Sequence, residues 1–137
     1  MIDRQRRQGG FTLLEILVVI AILGLLIGLV APAALRQLGG ARTSVARQSI
    51  ERIGGLLDLY KLDVGRYPGT EQGLTALAEQ PRGVASWNGP YVKGVIGNDP
   101  WGKPWTYRSP STRTGHDYDL CSDGPPGAGS GEQMCNP

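Results

Sequence analysis

Residues 10–31 read GFTLLEILVVIAILGLLIGLVA and decide the fold of this 137-residue chain. The 21 residues from Phe11 to Ala31 are apolar except at four positions: Thr12, Glu15, Gly24 and Gly28. As an α-helix, this stretch extends about 31 Å, which matches the thickness of the hydrocarbon core of a bilayer. The sequence therefore predicts one membrane-spanning helix over residues 11–31.

The ten residues before this stretch predict its orientation. They carry three arginines and one aspartate, and positively charged flanks stay on the cytoplasmic side of a membrane. We therefore expect a single-pass membrane protein whose N-terminus lies in the cytoplasm and whose C-terminal part lies outside it. A cleavable secretory signal ending at Ala31-Pro32-Ala33 is the alternative, although an ordinary signal core has only about 7–15 apolar residues.

Glu15 is the one charged residue within the predicted span. A carboxylate in lipid costs on the order of 2–3 kcal/mol and marks a functional position by default. Its own helix offers no partner, because no basic residue lies between Phe11 and Leu35. A cut between Gly10 and Phe11 would create an α-amino group that pairs with the Glu15 of a neighbouring copy, so that the two charges neutralise each other when subunits stack.

Gly10-Phe11-Thr12-Leu13-Leu14-Glu15, after a short basic leader and before an apolar helix, resembles the type IV prepilin processing motif. The resemblance implies that a prepilin peptidase removes the leader after Gly10 and methylates the amine of Phe11. It also implies that Glu15 and the Phe11 amine set the register of an assembled filament. We assign Pro32 to filament assembly as well, together with Phe11 and Glu15.

A helical pattern continues beyond the apolar span. Apolar residues recur mostly at intervals of three, four or seven from Leu35 to Val64, which predicts an amphipathic continuation. We expect one helix from about Phe11 to about Leu62, bending or locally melting around Gly24 to Pro32 because proline lacks a backbone donor. The charged residues of this part form either a solvated face or salt bridges between subunits.

The rest of the chain predicts a small head rich in glycine and proline. Thr70 is the expected N-cap of a short helix over residues 70–77. Alternation predicts strands at Trp105–Arg108 and Asp117–Cys121, with Tyr91–Val95 as a weaker third strand. The predicted parts are a leader at 1–10, a transmembrane helix at 11–31, its amphipathic continuation at 32–65 and a globular head at 66–137.

Six short motifs from Tyr60 onward resemble, in the same order, the G-type major pseudopilins of type II secretion systems. They are Tyr60-Lys61-Leu62-Asp63, Arg66-Tyr67-Pro68, Thr70-Glu71-Gln72-Gly73-Leu74, Trp87-Asn88-Gly89-Pro90-Tyr91, Asp99-Pro100-Trp101-Gly102-Lys103-Pro104 and Tyr118-Asp119-Leu120. The resemblance implies an α+β, type IV pilin-like fold, in which a long N-terminal helix packs against a small antiparallel sheet.

By this resemblance, the chain is a structural subunit that polymerises into a periplasmic fibre and helps export folded proteins through the outer membrane. Its implied partners are other copies of itself, minor pseudopilins, the inner-membrane assembly platform and the prepilin peptidase. A type IV pilin for adhesion or motility, or a signal-anchored periplasmic binding or enzymatic module, is the alternative.

The composition offers little to support catalysis or nucleic-acid binding. The formal net charge is +2, too small for a broad basic surface. His116 is the only histidine, and no second ligand or nucleophile is nominated beside it. We expect no enzymatic activity, and we expect Trp87, Trp101 and Trp105 to fill the interior of the head.

Cys121 and Cys135 form an even pair in a segment expected outside the cytoplasm, so we predict a disulfide between them. The family resemblance also implies a calcium site in the C-terminal loop. Asp123 and Glu132 match acidic positions of that site, whereas Gln133 stands where a second adjacent carboxylate is usual. Calcium is therefore a possible but not a required cofactor, and the disulfide is an alternative constraint on the loop.

Overall fold

The computed structural model describes residues 9–137 and has the predicted α+β class. Its elements are the helix α1 (Leu13–Val64), the strands β1 (Thr106–Arg108), β2 (Asp119–Ser122) and β3 (Met134–Cys135), and 3₁₀ turns at Leu74–Leu77 and Ser130–Glu132. The strands form one antiparallel sheet in the order β1-β2-β3. A long N-terminal helix and a small antiparallel sheet confirm the predicted fold.

The chain divides into two compact units, of which one ends at Gly39 and the other comprises Gly40–Pro137. The part of α1 in the first unit contains an 18-residue window with a mean hydropathy of 3.0, long and apolar enough to cross a membrane. Its helical hydrogen bonding continues through Gly24 and Pro32. Local melting, one of the two predicted alternatives, is therefore wrong, because one missing proline donor leaves the flanking hydrogen bonds intact; a bend in this region stays a prediction.

The second unit, the head, contains the hydrophobic core. Four residues of α1 spaced three or four apart are almost fully buried: Ile50, Ile53, Leu57 and Tyr60. They pack with Ala76 and Leu77 of the first 3₁₀ turn and with Leu120 of β2. Because residues three and four apart lie on one helix face, the amphipathic pattern seen in the sequence forms one wall of this core.

The strands differ in part from their predicted positions. β1 and β2 lie within a residue or two of the predicted strands and pair with Tyr107 opposite Leu120. The predicted strand at Tyr91–Val95 does not form; the backbone N–H of Tyr91 donates to the carbonyl of Leu77 at 2.8 Å instead. The third strand is β3, which pairs with β2 and places Cys135 opposite Cys121.

Thr70 does not cap a helix. The short helical segment begins only at Leu74, after Gly73, and is a 3₁₀ turn. The Thr70 hydroxyl donates to the Ser109 carbonyl at 3.0 Å and accepts from the Ser109 N–H at 3.0 Å. The predicted N-cap is therefore wrong, because this side chain bonds to the segment that follows β1.

The tryptophans contribute to the interior of the head. Trp87 and Trp105 pack against the core cluster. The indole N–H of Trp87 donates to the Ala76 carbonyl at 2.8 Å, and that of Trp105 donates to the Gly97 carbonyl at 2.9 Å. Trp101 is half-buried, and its backbone N–H donates to the Asp99 carboxylate at 3.0 Å. The contacts of Trp87 and Trp105 agree with a packing role for their side chains, whereas Trp101 is not part of the core cluster.

A close approach to the helix explains one glycine in the core stripe. A Cβ atom at Gly54 would lie 2.9 Å from the hydroxyl oxygen of Tyr118. The Tyr118 ring is itself held beside Tyr67, with ring centroids 4.7 Å apart, and beside Tyr107, with centroids 6.0 Å apart. The hydroxyl is therefore not free to move away, and α1 requires glycine at this position.

We predict that Gly54→Ala lowers the free energy of unfolding of the head by about 1–3 kcal/mol, because the new methyl group overpacks the contact with Tyr118. The neighbouring Gly55→Ala is the matched control, since nothing lies within 4 Å of its Cβ position. This control gains up to about 1 kcal/mol from helix propensity. Adding Tyr118→Phe to Gly54→Ala removes the clashing oxygen and restores stability. Urea unfolding of the detergent-solubilised chain measures all three variants. If Tyr118→Phe does not restore stability, the packing argument is contradicted.

Candidate functional site

The predicted processing site lies immediately before α1. Gly10 and Phe11 are both exposed, and neither belongs to the helix. The Phe11 side chain is 78% exposed. The Gly10–Phe11 peptide bond is therefore accessible to a peptidase, and cleavage and methylation at this bond remain predictions.

Glu15 lies in the first turn of α1, three residues after Thr12. The Thr12 hydroxyl oxygen accepts a hydrogen bond from the Glu15 backbone N–H at 3.1 Å, so Thr12 is the N-cap of α1. The Thr-x-x-Glu spacing is that of a capping box, and a carboxylate is favourable near a helix N-terminus. Within residues 9–137, no ion pair to Glu15 is formed.

The first part of α1 exposes a continuous apolar surface. None of the most apolar 18-residue window is buried within the chain. Leu13, Leu25 and Leu29 are each at least 78% exposed. Contiguous apolar surface on this scale marks a site that contacts lipid or another protein.

The C-terminal loop, residues 123–134, is closed by a disulfide between Cys121 and Cys135. The bond joins β2 to β3 at paired positions, 14 residues apart in the chain. Closing a loop of this length stabilises the folded state by about 3 kcal/mol in the chain-entropy model. The predicted disulfide is therefore present, and it closes a loop whose only regular structure before β3 is a 3₁₀ turn.

The beginning of this loop is fastened to a buried carboxylate. The Ser122 hydroxyl donates to Asp99 Oδ2 at 2.7 Å and accepts from the Gly124 N–H at 3.2 Å. The other oxygen of Asp99 accepts hydrogen bonds from the backbone N–H groups of Trp101 and Lys103. Gly124 has a φ of +75°, and a Cβ there would lie 3.1 Å from the Glu132 carbonyl oxygen. Glycine thus lets the two ends of the loop approach each other.

A second polar network, the C-terminal clamp, consists of Arg113, Asp119 and Asn136. Arg113 donates from Nε to Asp119 Oδ1 at 2.6 Å, from Nη1 to the Asn136 carbonyl at 2.9 Å and from Nη2 to Asn136 Oδ1 at 2.6 Å. Asn136 also accepts from the Leu120 N–H at 2.8 Å. The clamp fixes the penultimate residue of the chain against β2. Sequence reasoning missed it, because only Asp119 belongs to a recognisable motif.

The Asp119 carboxyl is kept ionised by its surroundings. It is only 7% exposed, and burial alone would raise its pKa. Hydrogen bonds from Ser111, Arg113 and Thr112 outweigh that penalty and hold the pKa of Asp119 well below its ordinary value. A depressed pKa in the folded state stabilises the protein above the unfolded-state value, near pH 4.

His116 makes no constellation suited to catalysis. Its Nδ1 lies 3.1 Å from the Thr114 carbonyl. Ser122 follows His116 closely in the sequence, but its hydroxyl donates to Asp99 and not to His116. No group of three or more His, Cys, Asp or Glu side chains able to hold a metal ion is found in the part of the chain that the structure describes.

Comparison with known proteins shows which family the chain belongs to. A family model described as "Type II secretion system (T2SS), protein G" matches residues 33–136. The chain belongs to the type II secretion system protein G family. A second model, "Prokaryotic N-terminal methylation motif", matches residues 5–31 of this protein G family member. That motif and the apolar part of α1 fit a membrane-anchored pseudopilin of type II secretion.

Relatives support the protein G assignment over nearly the whole chain. The type II secretion system core protein G of Pseudomonas aeruginosa is 42% identical over 128 residues, which are 90% of each chain. The core protein G of Vibrio cholerae is 39% identical over 138 residues, 97% of this chain and 94% of the relative. The predicted resemblance to G-type pseudopilins is confirmed, and the type IV pilin alternative is not favoured.

A solved structure agrees with the fold of this protein G family member. The major pseudopilin from the type 2 secretion system of enterohaemorrhagic Escherichia coli matches with a TM-score of 0.61 and 28% identity. The match covers 74% of this chain and 91% of the other. A pilin-like fold with a long N-terminal helix is therefore shown by structure as well as by sequence.

The calcium site expected for this protein G family member does not fit the residues present. Calcium takes six to eight oxygen ligands, usually with several carboxylates. The loop supplies two, Asp123 and Glu132, both exposed. Asp123 Oδ1 accepts a hydrogen bond from Gln133 Nε2 at 3.1 Å, and both oxygens of nearby Asp99 are engaged by protein donors. The loop therefore offers fewer free carboxylates than a strong calcium site usually has.

The clamp predicts a pH dependence of stability. As the pH falls below about 4, the unfolded chain takes up a proton at Asp119 that the folded chain, with its depressed pKa, does not, so the free energy of unfolding decreases. Asp119→Asn lowers that free energy by about 2 kcal/mol at neutral pH, because a hydrogen-bonded charge is lost. Below about pH 4, the difference between wild type and this variant shrinks.

Unfolding of the detergent-solubilised chain in urea, measured from about pH 7 to about pH 2, checks this expectation. Asp123→Asn is the control, because Asp123 is exposed and has one hydrogen bond, to Gln133; it changes stability by less than about 0.5 kcal/mol. Parallel pH profiles for wild type and Asp119→Asn would show that Asp119 does not carry the effect.

Proposed function

We propose that this member of the protein G family is a structural subunit of the type II secretion pseudopilus, and that it polymerises through α1 into a periplasmic fibre. The observation that carries the proposal is the unburied apolar part of α1, in a chain whose family is that of the secretion pseudopilins. Burial of that surface between subunits supplies the driving force for assembly. The fibre then helps to move folded proteins through the outer membrane.

The charge arrangement at the start of α1 gives the assembly a register. Cleavage after Gly10 would leave a positive amine on Phe11, next to the N-terminus of a helix, where the helix dipole disfavours a cation. Glu15 of the same chain lies in the first helical turn, and the structure gives it no ion pair within residues 9–137. A Phe11 amine and the Glu15 of an adjacent subunit neutralise each other when the two subunits are correctly staggered.

The proposed location is the inner membrane, with the head in the periplasm. The arginines of the leader favour this orientation. The Cys121–Cys135 disulfide supports it, because disulfides persist in oxidising compartments such as the periplasm. In that location the partners are other copies of this chain, minor pseudopilins, the inner-membrane assembly platform and the prepilin peptidase.

The proposed role is structural, not catalytic. Relatives named core protein G and major pseudopilin support it. The mechanism we propose is assembly, in which apolar helices form the interior of the fibre and polar heads cover it. Pro32 lies inside α1, and we assign it to the packing of helices between subunits.

Processing predicts a defined N-terminus. Co-expression with a prepilin peptidase yields a mature chain that begins at Phe11 and carries one methyl group on its α-amine. Mass spectrometry of the intact chain and of its N-terminal peptide measures both. Cleavage after Ala33, or an uncleaved chain, would show that the N-terminal segment is a secretory signal or a plain anchor.

Replacement of Glu15 predicts a defect in assembly but not in insertion. Glu15→Gln enters the membrane as wild type does, because the change removes a charge from the span. Its fibre yield falls at least about tenfold, the effect of losing roughly 1.4 kcal/mol per contact. Fractionation of membranes and sheared fibres measures the two steps. Glu51→Gln, on an exposed position of the head helix, is the control, and a normal fibre yield from Glu15→Gln would contradict the charge pairing.

A further inference from the structure

The C-terminal loop contains the mismatch between this chain and its family. The resemblance implies a cation held by a cluster of acidic side chains, and this loop presents two exposed carboxylates instead. Position 133 is Gln, and its side-chain amide donates a hydrogen bond to Asp123. A carboxylate at this position would instead bind the same cation as Asp123. This hydrogen bond engages Oδ1 of Asp123, one of the two loop carboxylates that match the expected site.

The loop is nevertheless tied down at both ends. At its start, Ser122 bonds to the buried Asp99 carboxylate and to the Gly124 N–H. At its end, the Asn136 N–H donates to the Leu120 carbonyl at 2.9 Å, and Arg113 binds the Asn136 side chain. The disulfide lies between these two attachments and links Cys121 covalently to Cys135.

The polar groups that make these attachments are satisfied without an ion. Asn136 is 8% exposed and uses its backbone N–H, its carbonyl and both ends of its amide in hydrogen bonds. Ser122 is fully buried, and its hydroxyl both donates and accepts. A buried cation site leaves oxygens that only the ion satisfies; at these two residues, no side-chain oxygen is left for that purpose.

We propose that the Cys121–Cys135 disulfide, together with the C-terminal clamp, fixes the C-terminal loop in place of a divalent cation. The stability of the head is then independent of calcium and dependent on the oxidised cysteine pair. This chain is a subunit whose final loop is locked once, by oxidation, and does not respond to the cation concentration around it.

The test uses the full mature chain in detergent, with calcium itself as the probe. The midpoint of thermal unfolding is measured by circular dichroism after treatment with excess EDTA and again with millimolar CaCl₂. We expect the two midpoints to agree within experimental error. The double variant Asp123→Asn/Glu132→Gln removes the two loop carboxylates. We expect that calcium does not change its midpoint either.

The second arm removes the disulfide. The chain is reduced with dithiothreitol in denaturant and returned to buffer with the reductant present; each disulfide accepts two electrons and two protons, and the reagent becomes a cyclic disulfide. Complete reduction is verified by the mass after alkylation. The midpoint falls by about 10–20 °C, or the head fails to refold, because the closed loop gains freedom in the unfolded state. Adding calcium to the reduced chain does not reverse this loss.

Two results would overturn the proposal. One is a midpoint that rises with calcium in the wild type and not in the double variant, since this locates a working cation site at Asp123 and Glu132. The other is a reduced chain as stable as the oxidised one. Neither readout involves fibre formation or secretion, so the result is independent of the proposed pseudopilus function.

Discussion

The buried stripe of Ile50, Ile53 and Leu57 on α1 is the surface on which the head depends. The sheet has strands of two to four residues, and a sheet of this size is not stable by itself. It becomes ordered because Leu120 of β2 packs on the helix, as Leu77 of the 3₁₀ turn does. The helix is therefore part of the core, and any change that frays α1 beyond Ala46 removes the support of every other element.

The elements of the fold that a single local sequence pattern determines could be predicted, and the long helix is the main example. The spacing of apolar residues predicted a helix to about Leu62, and the structure ends it at Val64. The third strand was placed wrongly, because Tyr91–Val95 alternates and yet is held by other contacts. The Tyr91 hydroxyl donates to Asp63 at 2.7 Å and its ring packs edge-on to Tyr60. β3 has two residues, too few for any alternation to show.

The same distinction separates the two candidate sites. The N-terminal site was recognisable because its residues are neighbours along the chain, and Gly10, Phe11 and Glu15 keep that spacing in any folded form. The C-terminal clamp was not recognisable, because Arg113 and Asn136 are 23 positions apart. They meet because Arg113 bonds to Asp119 of β2 and Asn136 follows β3, which pairs with β2. A buried asparagine near a chain end carries no sequence signal of its own, whereas the paired cysteines do.

The head compensates for a small apolar core with polar and covalent constraints. The buried residues Ile50, Ile53 and Leu57 share one face of α1, and the segments farther along the chain are also fastened by hydrogen bonds to the buried carboxylates of Asp99 and Asp119 and by the disulfide. The first part of α1 shows the reverse arrangement, with abundant apolar surface and none of its most apolar window buried. Stability of the head and assembly of the fibre therefore draw on different residues. In the proposed fibre, this separation would let each subunit fold before it polymerises, and its apolar surface would contact lipid first and neighbouring subunits afterwards.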